Sequence, residues 1–122
     1  MKKILIVDDQ LEVRELVAVT LRSDAYQVLQ AENGKKAIET ARKEKPDLII
    51  MDVMMPEMDG IEATRTIKSE DGTKDCKVVM LTAKGQKKDK EAGLDAGAED
   101  YFIKPFSPLD LIRKVEELLD EQ

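Results

Sequence analysis

Histidine and tryptophan are absent from this 122-residue chain, and cysteine occurs once. Without histidine there is no Ser-His-Asp triad, no imidazole metal ligand, no imidazole general base and no phosphohistidine of the chain's own. A lone Cys76 closes neither a disulfide nor a thiolate metal site within one chain. Ahead of an apolar strand it reads as a small packing residue rather than a redox group. No apolar stretch approaches the ~18–20 residues that a membrane span requires. Met1-Lys2-Lys3 and the apolar Ile4-Leu5-Ile6-Val7 stop at Asp8-Asp9, too short for the core of a signal peptide, and no small-residue cleavage site comes after. A cytoplasmic location, without membrane association, is the expectation. Excess positive charge is missing too. With 20 Lys plus Arg against 26 Asp plus Glu, the net charge is −6, which argues against a nucleic-acid partner. Neither Gly-x-x-x-x-Gly-Lys-Ser/Thr nor Gly-x-Gly-x-x-Gly occurs, so a nucleotide site is not expected.

What is present is a regular alternation of strands and helices. The length fits one domain, expected to span residues 1–122 with no output domain, linker or repeat. Lys3 to Val7 is a short, continuously apolar strand, and Val13, Leu16, Val17 and Leu21 then recur at helical spacing. Tyr26 to Leu29 is a second strand, and a helix carries Ala37, Ile38 and Ala41 as far as Pro46. Leu48 to Met51 is a third strand, closed by Asp52, and the helix after Gly60 bears Ile61, Ala63 and Ile67. Val78 to Leu81 is the fourth, ending at Thr82, before a polar helix over residues 84–96 interrupted by Gly93. Tyr101 to Ile103 is the fifth, ending at Lys104-Pro105. Ser107 is placed to cap a last helix, with Pro108 in its first turn and Leu111, Ile112, Val115, Leu118 and Leu119 facing inward. Continuous rather than alternating apolar strands indicate a sheet covered on both faces. Helix-length connections make the strands parallel, joined by right-handed crossovers. The expected fold is α/β, a doubly wound five-stranded parallel sheet.

All strands of such a sheet point one way, and sites form at their carboxyl ends. The residues that close the strands are Asp8-Asp9 after the first, Asp52 after the third, Thr82 after the fourth and Lys104 after the fifth. The second strand ends in Gln30-Ala31-Glu32 and breaks the pattern. Singly, an Asp ending a strand is ordinarily a turn or cap residue, a Thr there is routine and a Lys is solvated. Jointly, three carboxylates on one edge repel unless a cation neutralises them. Oxygen ligands in a small, open site fit Mg²⁺ (or Mn²⁺), which retains waters and takes one or two carboxylates with a phosphate oxygen. Such a site suits phosphoryl transfer with a carboxylate nucleophile, while the ammonium and hydroxyl meet the equatorial oxygens.

These residues resemble the receiver domains of bacterial two-component response regulators. The resemblance lies in Ile4-Leu5-Ile6-Val7-Asp8-Asp9, Asp52-Val53-Met54-Met55-Pro56-Glu57-Met58-Asp59-Gly60, Leu81-Thr82-Ala83 and Lys104-Pro105-Phe106, in order across the whole chain. In kind the chain is similar to the stand-alone receivers of chemotaxis and sporulation relays. The resemblance implies the (βα)5 flavodoxin-like fold with strand order 2-1-3-4-5. It also implies that Asp52 is the phosphoacceptor and that Asp8, Asp9, Asp52 and the backbone carbonyl of Met54 hold Mg²⁺. Lys104 and Thr82 would bind the phosphoryl group, Thr82 and Tyr101 would switch together, and Lys104-Pro105 would be cis. The implied activity is self-catalysed phosphorylation, from a phosphohistidine or small phosphodonor, and slow self-dephosphorylation, rather than conventional enzymatic turnover. Met54 and Lys84 line the implied route of the attacking water, Met54 being unable to orient it and Lys84 placed to cover the phosphoryl group.

The implied partners are a sensor histidine kinase and, in a phosphorelay, a histidine phosphotransferase or a downstream target, with the chain a monomer or weak dimer. The polar helix over residues 84–96, with few apolar anchors, is expected to be the least firmly packed element. Two other classes compete. A metal-dependent phosphohydrolase also places Asp at strand ends, but Asp8-Asp9-Gln10 is not Asp-x-Asp and no lid insertion is present. A phosphate-independent interaction module of the same fold would lack useful Mg²⁺ binding.

Overall fold

The structure, a computed structural model, describes residues 1–83 and 86–119. Five strands alternate with five helices: β1 (Lys2–Val7), α1 (Leu11–Leu21), β2 (Tyr26–Ala31), α2 (Gly34–Glu44), β3 (Leu48–Asp52), α3 (Gly60–Ser69), β4 (Lys77–Ala83), α4 (Lys87–Asp95), β5 (Asp100–Lys104) and α5 (Pro108–Leu119). The sheet runs β2-β1-β3-β4-β5, and every neighbouring pair is parallel. The expected doubly wound α/β fold and strand order are therefore observed.

Why the strands lack alternation is visible in their burial. Leu5, Val7, Ile49, Met51, Val78 and Met80 face one core with Ala37, Ile38 and Ala41 of α2 and Ala63 and Ile67 of α3. Their chain neighbours Ile4, Ile6, Leu48, Ile50, Val79 and Leu81 face a second core with Val17, Ala18 and Leu21 of α1 and Leu111, Val115 and Leu119 of α5. Both faces are covered, so both sets of side chains must be apolar. At about 25 cal/mol per Å² of apolar surface removed from water, these two cores are the main source of stability.

Helix starts obey local chemistry. Asn33 Oδ1 accepts from the Lys36 amide at 2.8 Å, Asp59 Oδ1 from Glu62 at 2.8 Å and Ser107 Oγ from Asp110 at 3.1 Å, each satisfying a first-turn N–H. Gln10 and Gln86, which precede α1 and α4, make no such side-chain cap. Lys45 ends α2 in the left-handed conformation at φ 47°, and the Lys104-Pro105 bond is cis.

Some inward assignments shift. Leu16 is 60% exposed, because the buried arc of α1 is centred on Val17, Ala18 and Leu21. Ile61, Ile112 and Leu118 are half-buried at the edges of their cores. Gly93 is the one buried residue of α4. A Cβ there would stand 2.8 Å from Met80 Cγ, so the glycine is where α4 approaches β4 most closely. No helix among the described residues is long and apolar enough to cross a membrane.

Candidate functional site

The carboxyl ends of β1, β3, β4 and β5 place the expected polar residues on one edge. Asp8 comes directly after β1 and is wholly buried, whereas Asp9 beside it is exposed. Asp52 closes β3 and Thr82 lies near the end of β4, both buried. Lys104 ends β5 and reaches inward. Its Nζ lies 3.0 Å from Asp52 Oδ1 and 3.5 Å from Asp8 Oδ2. Potential ligand oxygens of Asp8, Asp9 and Asp52 lie within 4.8 Å of one another.

Electrostatics at this edge are unbalanced. Burial pushes the Asp52 carboxyl above its ordinary value. The Lys104 hydrogen bond opposes that rise, and the neighbouring Asp8 adds to it. Asp8 Oδ1 accepts from the Gln10 amide at 2.9 Å, but its Oδ2 is buried with no hydrogen-bond partner. The Lys104 ammonium, 3.5 Å from that oxygen, is shared with Asp52, so one cation faces three carboxylates and the excess negative charge is costly unless a further cation meets it. All the donors are hard oxygens, two of them on buried carboxylates, and that set fits a small divalent ion such as Mg²⁺ or Mn²⁺.

The loop after β3 is built against this edge. The Val53 amide donates to the Leu81 carbonyl at 3.1 Å and the Gly60 amide to the Val53 carbonyl at 3.0 Å. Gly60 is dictated by proximity, since a Cβ there would stand 2.1 Å from the Asp52 carbonyl oxygen. Glu57 takes φ 68°, with the Met58 amide donating to the Pro56 carbonyl across it at 2.8 Å. Met54, two residues past Asp52, carries a side chain 69% exposed.

Thr82 also borders a pocket of about 200 Å³ lined by Ala83, Gln86, Lys87, Lys90 and Ile103. Tyr101 on β5 is half-buried against the α2/α3 core, and Lys90 Nζ lies 4.2 Å from its ring centroid, a cation–π distance. Lys84, expected over the phosphoryl position, lies outside the described residues. Cys76 is buried, and burial pushes its thiol above the ordinary value, in keeping with a packing role.

Sequence reasoning missed Arg14 and Gln30. Arg14 Nη1 donates to the Asp8 carbonyl at 2.8 Å and its Nε to Gln30 Oε1 at 3.2 Å. The only hint was the break in pattern at the end of β2, where Gln30 meets Arg14 rather than the acidic residues.

The family model described as the response regulator receiver domain matches residues 4–116. The phosphate regulon transcriptional regulatory protein PhoB of Pseudomonas aeruginosa is 45% identical over 118 residues, covering 97% of this chain and 52% of that protein. The transcriptional regulatory protein ResD of Bacillus subtilis is 42% identical over 117 residues, covering 96% of this chain and 48% of that protein. This chain thus spans about half the length of the curated relatives it matches. Among solved structures, chemotaxis response regulator CheY4 of Vibrio cholerae superposes with a TM-score of 0.90 at 34% identity, covering 98% of this chain and 99% of that one.

Proposed function

This chain belongs to the response regulator receiver domain family, and on that premise we propose that it is a phosphorylation-controlled signalling module whose phosphoacceptor is Asp52. The observation that carries the reading is the buried Asp52 carboxylate held 3.0 Å from the Lys104 ammonium, beside an Asp8 oxygen with no hydrogen-bond partner. Lys104 fixes one oxygen of Asp52, which orients the carboxylate for attack by the other.

The donor is a phosphohistidine on a sensor histidine kinase or a histidine phosphotransferase, since this chain has no histidine of its own. The P–N bond of the donor breaks, a P–O bond to Asp52 forms, and the imidazole leaves with the electron pair and takes up a proton. When bound, Mg²⁺ or Mn²⁺ neutralises charge on the transferring group, and Asp8, Asp9, Asp52 and the Met54 carbonyl are the residues that would hold it. Lys104 then pairs with a phosphoryl oxygen and Thr82 donates its hydroxyl to another. The added charge of about −1.5 to −2 favours one arrangement of Thr82 and Tyr101 over another, which changes partner binding. Hydrolysis reverses the state when water attacks phosphorus and Asp52 leaves as carboxylate. Met54 brings no polar group to orient that water, so self-dephosphorylation is slow.

Intact-protein mass after incubation with acetyl phosphate, with and without Mg²⁺, tests the reading. The expected result is a Mg²⁺-dependent gain of one phosphoryl group in the wild type and none in Asp52→Ala. No gain from acetyl phosphate or from a phosphorylated kinase would leave a phosphate-independent interaction module.

A further inference from the structure

We infer that Arg14 is a positioning residue for the cation site, fixing Asp8 from behind through its backbone while Gln30 fixes Arg14. The inference rests on the receiver reading and goes beyond it, by assigning work to two residues outside the acidic cluster.

Asp8 is tied by three hydrogen bonds, the first from its own amide to the Ala31 carbonyl at 3.2 Å. The Gln10 amide holds Oδ1 at 2.9 Å and the Arg14 guanidinium holds the main-chain carbonyl at 2.8 Å. With both ends fixed, the remaining oxygen, Oδ2, is the one left in the buried space that it shares with Asp52 and Lys104. Arg14 lies on α1, six residues past Asp8, while Gln30 lies near the end of β2, beside β1 in the sheet. The guanidinium therefore ties α1 and β2 to the backbone of the acidic pair. Arginine suits this work because its planar fork donates in two fixed directions at once, whereas lysine offers one flexible ammonium. Partners that orient a metal ligand ordinarily matter about tenfold or more for affinity.

Charge and geometry pull in opposite directions here, which makes the inference decidable. A cation beside the acidic cluster repels Mg²⁺, so deleting Arg14 for its charge alone would tighten binding. Deleting it for its geometry would loosen binding, because Asp8 would no longer be held with Oδ2 in place. Screening confines the charge effect to roughly a Debye length, ~8 Å at physiological salt, and weakens it in more salt. The positional effect does not depend on salt in that way.

The experiment is a calorimetric Mg²⁺ titration of the intact chain, with thermal unfolding of each protein in the absence of metal. Arg14→Ala is expected to raise the Mg²⁺ Kd about tenfold, with a metal-free melting midpoint close to wild type. Arg14→Lys should fall on the same side, since it keeps the charge and loses the fork. Gln30→Ala should raise Kd roughly two- to threefold, and should have no further effect in the Arg14→Ala background. An unchanged Kd, or tighter binding in Arg14→Ala, overturns the inference. If Arg14→Ala melts far below wild type, Gln30→Ala decides the matter alone, and an unchanged Kd there overturns it. A wild type that binds no Mg²⁺ and gains no phosphoryl group would sink the receiver reading itself, a result distinct from any of these.

Discussion

The two ends of the sheet handle charge in opposite ways. At the amino edge, Lys68 Nζ donates to the Cys76 carbonyl at 2.7 Å, the Lys74 carbonyl at 3.2 Å and Glu99 Oε2 at 2.7 Å. Glu99 Oε1 in turn accepts from the Val78 amide at 2.7 Å. The ammonium has used all three of its hydrogens. At the carboxyl edge, two buried carboxylates share the Lys104 ammonium with a third carboxylate beside them, and an oxygen of Asp8 goes without a hydrogen bond. One edge is satisfied and the other carries an excess of negative charge. Marginal domains tolerate such an excess only where function retains it.

The sharpest way to break this comparison is to remove a charge from each edge and measure urea stability. Lys68→Met should cost about 1.5 kcal/mol, mainly because two carbonyls lose a charged donor, the exposed Glu99 carboxylate staying solvated, and the loss should be the same with and without Mg²⁺. Asp52→Asn should do the reverse, gaining about 1 kcal/mol without metal by removing a desolvated like charge. Its sign with pH comes from the raised Asp52 carboxyl. A carboxyl raised in the fold leaves stability intact in acid and lowers it as pH climbs through the folded-state value. The advantage of Asp52→Asn should therefore vanish below the ordinary value of 3.8 and open above it. An advantage that persists in acid would mean that packing, not charge, separates the two proteins. The smallest effect concerns backbone. Among the described residues, Glu57 at φ 68° and Lys45 at φ 47° are the left-handed non-glycine residues, one at each edge. Glu57→Gly should gain about 0.5 kcal/mol. Lys45→Gly should gain less, since it forfeits the bond from Lys45 Nζ to the Gly72 carbonyl at 3.1 Å.

Much of this was legible in the residues. Apolar runs such as Leu48-Ile49-Ile50-Met51 announce a strand buried on both faces, and the residues closing the strands announce the edge where Asp8, Asp52, Thr82 and Lys104 meet. The features that escaped were set by contacts distant in sequence. Lys68 and Glu99 are 31 residues apart, and nothing near either marks them as partners. Arg14 is one of several charged residues on α1, and nothing beside it in sequence marks the Asp8 carbonyl or Gln30 as its partners. Gly93 read as a weakness in α4, when its missing side chain is what lets that helix lie against Met80. Leu16 satisfied the helical period and still faced solvent, because periodicity gives the spacing of a buried face and not its centre.

That contact at Met80 bears on how the protein ages. Met80 is wholly buried on β4, two residues before Thr82, with the Thr64 hydroxyl 3.3 Å from its sulfur and Gly93 against its Cγ. A sulfoxide oxygen would need room in that packed space and would turn an apolar side chain polar. Peroxide reaches the thioether only when its cover is lifted, whereas Met54 stands open to solvent. The ratio of oxidation at the two methionines is therefore a chemical clock for how often the cover over β4 opens.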